Sequence, residues 1–254
     1  MRTALTIAGS DSGGGAGIQA DLRTFAALGV HGTSAITAIT AQNSLGVYAI
    51  TPVTPEMIAA QIEAVLTDFG ADAVKIGMLG TAANVEVVAD AIERFACGNV
   101  VLDPVMIATH GARLLDEAGV AALRGRLLAL ATVVTPNLSE AEALTGRPVR
   151  TLLEMREAAT ALTAMGARAV IVKGGHLDAA PVDVLYDGAS FTELSGHRVD
   201  TRHAHGTGCV FSSALAARLA HGDTLIDAAR VAKTFVTRAL RDAPGLGQGR
   251  GPLG

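Results

Sequence analysis

Short runs rich in β-branched residues alternate with helix-periodic segments along most of the chain, and this alternation restricts the fold more than any other feature. The runs are "ALTIAG" (4–9), "SAITAIT" (34–40), "VYAITPV" (47–53), "DAVKIG" (72–77), "NVVLD" (99–103), "TVVTPN" (132–137) and "AVIVKGG" (169–175). Between them, "AGIQADLRTFAALG", "PEMIAAQIEAVLTDFG", "TAANVEVVADAIERFA", "EAGVAALRGRLLALA" and "LLEMREAATALTAMG" carry apolar residues at three- and four-residue spacing. Strands alternating with amphipathic helices predict an α/β chain with a mostly parallel sheet and helices on both faces. No linker, repeat or low-complexity tract interrupts the 254 residues, so one domain over 1–254 is expected.

Helix ends support this division. Gly29, Gly70 and Gly166 close three of the helical segments, where the chain commonly takes positive φ. Five strands run directly into glycine or polar residues: Gly9-Ser10-Asp11, Gly77-Met78, Asp103-Pro104, Pro136-Asn137 and Lys173-Gly174-Gly175. Ligands of open α/β sheets bind at the carboxyl ends of the strands, so these five ends are expected to line one crevice.

Composition narrows what the crevice binds. A net charge of −4 and 3% aromatic residues with no Trp leave neither a basic footprint nor stacking platforms, so nucleic acid is not the expected partner. The charge-free stretch 24–55 is dense in Thr and Gly and alternates with period two, so buried strands are expected there rather than a membrane span. The apolar run near the N-terminus breaks at Gly9, short of a signal-peptide core. Two cysteines, Cys97 and Cys209, make no disulfide framework and suit a reducing cytoplasm.

Several familiar chemistries have no motif here. Gly-Lys-Ser/Thr, CxxC, HExxH and GxSxG are absent, and Gly15-Ala16-Gly17-Ile18-Gln19-Ala20 lacks the acidic residue about 20 positions on that a dinucleotide site uses. What remains is "HGTGC" (205–209) ahead of a small-residue helix. Gly206, Thr207 and Gly208 can turn their N–H groups toward one anion at a helix start, or form a plain glycine turn. Cys209 in the first helical turn is either a thiol made acidic by the helix dipole or inert packing, as is expected of Cys97. The glycines of "GSDSGGGAGIQADL" are a flexible turn or a close approach of backbone to ligand, with Asp21 one turn inside to meet a hydroxyl or ring nitrogen. Gln42 offers an amide suited to the edge of a heterocycle.

"TIAGSDSGGGAGIQADLRTFAALGV", "TAITAQNSLGV", "VKIGMLG", "VVLDPVM", "VTPNLSEAEALTG", "VKGGH" and "HGTGC" occur in the order and spacing of the hydroxymethylpyrimidine/phosphomethylpyrimidine kinases of thiamine biosynthesis. Over residues 3 to about 240 the chain resembles that family, which belongs to the ribokinase-like superfamily. The resemblance implies a three-layer α/β/α fold and an ATP- and Mg2+-dependent kinase, commonly a homodimer, acting on 4-amino-5-hydroxymethyl-2-methylpyrimidine and then on its monophosphate. Carried over by position, Gln42, Asp21, Gly9, Ala16 and Met78 would shape the pyrimidine pocket. Gly206, Thr207, Gly208 and Cys209 would form the anion hole, with Cys209 accepting the substrate hydroxyl's proton. Asp103 and Glu140 would serve magnesium, and Asn137, Lys173, Thr207 and Lys233 the nucleotide.

Other readings of these residues stay open. Asp103 can be a helix N-cap, Asn137 and Glu140 a capping box, and Lys233 a solvated helix residue. His205 is expected in the turn rather than on a metal, and His176 is unassigned. Where relatives often carry "VMVAKSG" this chain has "VMIATHG", so Thr109, beside His110, replaces a lysine over the phosphate region. The nearest rival is a pyridoxal kinase of the same scaffold, disfavoured because "MIATHG" lacks the second cysteine of that branch. A non-catalytic pyrimidine-binding protein and a sugar kinase, which would place Asp where Cys209 stands, are further alternatives.

Overall fold

The computed structural model describes residues 1–107, 111, 113–175, 177 and 181–254. In chain order these form β1 (Arg2–Asp11), α1 (Gly17–Ala27), β2 (Val30–Asn43), β3 (Gly46–Pro52), α2 (Pro55–Asp68), β4 (Ala73–Ile76), α3 (Ala82–Arg94) and β5 (Val100–Leu102). Next come α4 (Glu117–Ala122), which continues through a π turn at Leu123–Leu127 into α5 (Leu128–Leu130), then β6 (Val133–Val134), α6 (Leu138–Thr145) and α7 (Leu152–Ala164). The chain ends with β7 (Val170–Val172), β8 (Asp183–Tyr186), β9 (Phe191–Leu194), α8 (Thr207–His221) and α9 (Leu225–Arg241).

The strands make one sheet in the order β3-β2-β1-β4-β5-β6-β7-β8-β9. Pairing is parallel from β2 to β7, and β3, β8 and β9 add antiparallel edges. Side chains alternate across the pleat and so divide the core in two. Leu5 and Ile7 of β1 face the layer that holds Ile58, Val85, Leu127 and Leu144. Ala4 faces the layer of Phe25, Phe211, Ala214 and Ala232, from α1, α8 and α9. The expected α/β/α arrangement is therefore present. α8 is buried nearly all round, which its run of alanines and serines permits by letting α1, α9 and the sheet approach closely.

Gly29, Gly70 and Gly166 take φ of 73°, 66° and 116°, as expected of helix-closing glycines. The stretch 24–55 departs from expectation: β2 is only half-buried and β3 is exposed along most of its length, with Tyr48 66% exposed. Period-two alternation marks a strand but does not say whether a layer covers it, and β3 is an edge strand. The β8–β9 hairpin has no counterpart among the expected strands. Among the described residues no helix is long and apolar enough to cross a membrane.

Candidate active site

The chain runs from β1 to β2 on one side and later to β4 on the other, which makes the carboxyl end of β1 a topological switch point. A cavity of about 590 Å³ opens there, bounded by the ends of β1, β4, β5, β6 and β7 and by the start of α8. All five strand ends expected to share a crevice contribute to its wall.

Two helices aim their amino ends at this cavity without a side-chain cap. α2, α3, α4, α6, α7 and α9 are each capped by a Thr, Asp or Asn side chain accepting a backbone N–H. α1 starts from Ala16 and α8 from Gly206, neither with such a bond. Gly17 N–H, the first of α1, reaches the Cys209 sulfur and Thr207 N–H makes only a long 3.4 Å bond to Ala204 O, while the positive ends of both helix dipoles add to the attraction for an anion. Gly206 sits at φ 83°, and Thr207 Oγ1 donates to Ala204 O at 2.7 Å, which holds the turn and leaves that oxygen able only to accept.

Asp11 joins the two glycine-rich turns. Its carboxylate accepts from Gly13 N (2.8 Å), Gly15 N (3.0 Å) and Ala16 N (2.8 Å), and His205 Nε2 lies 3.0 Å from Oδ2. Burial works against ionisation, but the His205 and backbone N–H bonds hold the Asp11 carboxyl below the usual range. His205 is thus buried in the turn, as expected, with its Nε2 facing the Asp11 carboxylate. Gln42 Nε2 lies 2.9 Å from the same nitrogen. Thr40 Oγ1, 3.4 Å from Gln42 Oε1, spends its one proton on Ser10 O at 2.9 Å. Turning the Gln42 amide over gives both contacts a donor and an acceptor.

On the opposite wall, Lys173 Nζ is 2.8 Å from Asp103 Oδ1, and Ser212 Oγ is 3.2 Å from Asp103 Oδ2. Burial opposes the charge on Asp103, and Lys173 and Lys75 restore it, so its carboxyl lies below the usual range. Asn137 and Glu140 do form the capping box of α6, with bonds of 2.9 and 2.8 Å. Burial, with the charge of Asp103 adding to it against Lys173, pushes the Glu140 carboxyl up to about 7. Lys233 lines the cavity and is not merely solvated: its Nζ is 2.8 Å from Asp183 Oδ2, and Asp183 Oδ1 accepts Gly174 N at 2.9 Å.

Two expectations are corrected here. Asp21 does not line the cavity: it is fully buried, accepting from Lys75 Nζ (2.8 and 3.0 Å), Thr6 Oγ1 (2.6 Å) and Ser213 Oγ (2.6 Å). Its oxygens are used up inside the protein, so Asp21 has nothing left for a substrate. Cys209 is on the cavity wall, but its thiol is not acidic. Burial pushes it up to about 11, against Lys75 and the Gly17 N–H and with Asp21 and Asp103 adding, so desolvation outweighs the helix dipole. Gly9, Ala16 and Met78 line the cavity as expected, Met78 Sδ lying 3.1 Å from where a Cβ on Gly9 would stand.

A family model described as phosphomethylpyrimidine kinase matches residues 11–254. The chain belongs to that family. It is 52% identical over 258 residues to the hydroxymethylpyrimidine/phosphomethylpyrimidine kinase of Haemophilus influenzae, covering 99% of this chain and 96% of the relative. Among solved structures, an ADP complex of Bacillus subtilis pyridoxal kinase superposes with a TM-score of 0.92 at 42% identity, over 100% of this chain and 96% of that one. Staphylococcus aureus pyridoxal kinase in complex with AMP-PCP and pyridoxal gives 0.93 at 37%, over 100% and 93%. The fold is therefore the ribokinase-like one that the motifs imply.

Lys75 and Asp183 have no signal in the sequence, and Asp11, expected only as part of a strand end, also organises the glycine-rich turns. Each is a buried or nearly buried partner of a residue that was singled out, and each pairing spans many positions in the chain, from 50 residues (Lys233–Asp183) to 194 (Asp11–His205). Thr109, His110 and His176 lie outside the described residues.

Proposed function

We propose that this chain is a hydroxymethylpyrimidine/phosphomethylpyrimidine kinase of thiamine biosynthesis, one domain over residues 1–254, moving the γ-phosphoryl group of ATP to the hydroxymethyl oxygen of 4-amino-5-hydroxymethyl-2-methylpyrimidine and then to the monophosphate. The observation that carries the reading is the convergence of two uncapped helix starts with Lys173, Asp103 and Cys209 on one cavity, in a chain that belongs to the phosphomethylpyrimidine kinase family. Phosphoryl transfer needs positioning and neutralisation of charge more than covalent chemistry, and these are what the groups supply.

In this reading Gln42, Gly9, Ala16 and Met78 hold the pyrimidine ring, and Asp21 supports the site from behind. The N–H groups of Gly206, Thr207, Gly208 and Cys209 take the transferring phosphoryl. Cys209 acts through the small thiolate fraction it carries: the thiolate takes the hydroxyl proton as the hydroxyl oxygen bonds to the γ-phosphorus and the bond to the leaving oxygen of ADP breaks. The thiol then returns its proton to solvent. Lys173 and Asn137 face the nucleotide, and Lys233, anchored by Asp183, borders its far side.

Asp103 and Glu140 fit a magnesium ion. Mg2+ takes one or two carboxylates and completes its shell with water and phosphate oxygens, and these two acidic groups are close enough that the charge of one raises the proton affinity of the other. Among the described residues no group of three or more His, Cys, Asp or Glu is placed to hold a metal, which accords with an ion held mainly through water and phosphate. When bound, the ion would neutralise charge on the phosphates. A homodimer in the cytoplasm accords with the exposed Ile39, Leu45 and Tyr48 around the β2–β3 hairpin and with two free cysteines.

The pyridoxal reading shares the fold; the family model and a 52% identical curated relative favour the pyrimidine reading, whereas solved structures of a pyridoxal kinase (42%) and a phosphomethylpyrimidine kinase (39%) do not separate the two. ADP release measured with the pyrimidine, its monophosphate and pyridoxal separates the two. Higher kcat/KM for both pyrimidines is the expected outcome, and a preference for pyridoxal overturns the assignment.

A further inference from the structure

The proposed transfer does not by itself account for Lys75. Its ammonium is completely buried near the end of β4, where a lysine is almost never placed unless paired. Burial opposes its charge, and Asp21, Cys209 and Asp103 overcome that, so the ammonium is held protonated above the usual lysine range. The strand even leaves space for it. A Cβ on Gly77 would stand 2.8 Å from Lys75 Nζ, so any other residue at 77 would crowd the ammonium.

The pair points at α8. Asp21 accepts from Lys75 at 2.8 and 3.0 Å and from Ser213 Oγ at 2.6 Å, and Ser213 lies four residues after Cys209, one turn along the same helix face. The Gly17 N–H reaches the Cys209 sulfur from the start of α1. Charged groups come toward this sulfur from Lys75 on β4, Asp21 on α1, Asp103 after β5 and Lys173 after β7. Of these, the two cations oppose two carboxylates. Lys173 is paired with Asp103 and partly exposed, whereas Lys75, on the wall of the same cavity as Cys209, is fully buried and paired with Asp21.

We propose that Lys75 is a positioning residue for the phosphoryl transfer: its ammonium, locked in place by Asp21, holds the negative charge on Cys209 Sγ until the substrate hydroxyl passes its proton to that sulfur. This rests on the kinase reading above. The step creates no new bond beyond those of the transfer: the hydroxyl proton moves to Cys209 sulfur, and Lys75 keeps its own three protons throughout. Asp21 has the opposing influence. It anchors the ammonium yet adds a negative charge of its own.

Opposite signs make the test. In the full chain carrying Cys97→Ala, which removes the other thiol, the rate of Cys209 alkylation by iodoacetamide is followed by mass spectrometry from pH 7 to 10. Lys75→Met should slow alkylation about tenfold at a given pH and lower kcat by a similar factor, with KM for the pyrimidine little changed. Asp21→Asn, which leaves the ammonium without its counter-charge, should speed alkylation. A pair that only stabilises the fold would move both variants in the same direction or neither, and that result overturns the proposal. Should Lys75→Met fail to fold, the Asp21→Asn arm still decides by its sign, and Lys75→Met/Asp21→Asn, which buries no unpaired charge, should alkylate more slowly than Asp21→Asn alone. An alkylation rate in the double variant equal to or above that of Asp21→Asn also overturns it. Alkylation reports the thiol whatever the substrate, so loss of the kinase reading would show as absent turnover with these rates intact.

Discussion

Gly206→Ala tests whether the two glycine-rich turns are held in mutual contact. Gly206 has φ 83°, and a Cβ there would stand 2.0 Å from the carbonyl oxygen of Gly15 and 3.2 Å from Ala16 Cα. Both obstacles are backbone, so relief requires the anion-hole turn and the loop that Asp11 organises to part by about 1 Å, the shortfall from the 3.0 Å below which Cβ contacts are essentially never found. Gly222, at the other end of α8, supplies the control: φ 93° and nothing within 4 Å. Gly222→Ala should therefore lose only the left-handed backbone preference, about 1–2 kcal/mol. Gly206→Ala should lose that and a further 1–3 kcal/mol or so of overpacking. A shift of about 1 Å at the reacting groups should also lower kcat roughly a hundredfold in Gly206→Ala and leave it unchanged in Gly222→Ala. Urea denaturation and steady-state kinetics on both variants read these quantities. Equal destabilisation, or normal kcat in Gly206→Ala, would refute the claim that the loops form one ligand-binding surface.

Other consequences follow from the buried charges. Cys209→Ala should cut kcat by about 10²–10⁴, the usual contribution of a positioned base, while calorimetric affinity for the pyrimidine stays within a few-fold; unaltered turnover would return Cys209 to simple packing. Glu140 holds its proton more tightly folded than unfolded, so its contribution to stability should fall as pH rises from about 4.5 to about 7. Glu140→Gln, which can still close the capping box, should remove that decline; urea midpoints at pH 5 and 8 in the presence of EDTA check it, and parallel curves would count against the assignment. Lys233→Met, by freeing Asp183 at the nucleotide side, should raise the KM for ATP about tenfold with little effect on the KM for the pyrimidine.

Residues that act through their own backbone or through near neighbours were readable before any coordinates. The strand ends at Asp103, Asn137 and Lys173, and the "HGTGC" turn, reach the cavity because topology alone brings parallel strand ends together. Asn137 and Glu140 cap α6 at a spacing of three, a signal wholly contained in "NLSE". Asp21 was misplaced because its partner Lys75 lies 54 positions away on another strand, and nothing near Asp21 announces that its oxygens are occupied. The Cys209 thiol shows a different limit: helix position gives the sign of the dipole's effect, but the larger opposing effect of burial depends on packing by α1 and the sheet. The β8–β9 hairpin could have been found. "YDGAS" carries the Asp-Gly signal of a tight turn between two apolar runs, and Asp187 caps that turn through Ala189 and Ser190 N–H bonds of 2.9 and 2.7 Å.

Whether one cavity performs both phosphorylations is tested most directly by phosphorus NMR of a reaction mixture of chain, pyrimidine alcohol, ATP and magnesium. Expected is a pyrimidine monophosphate ester resonance that appears first and then gives way to a second pair of coupled doublets, distinct from those of the ADP released. A mixture in which ATP is unchanged, or in which only added pyridoxal becomes phosphorylated, would contradict it.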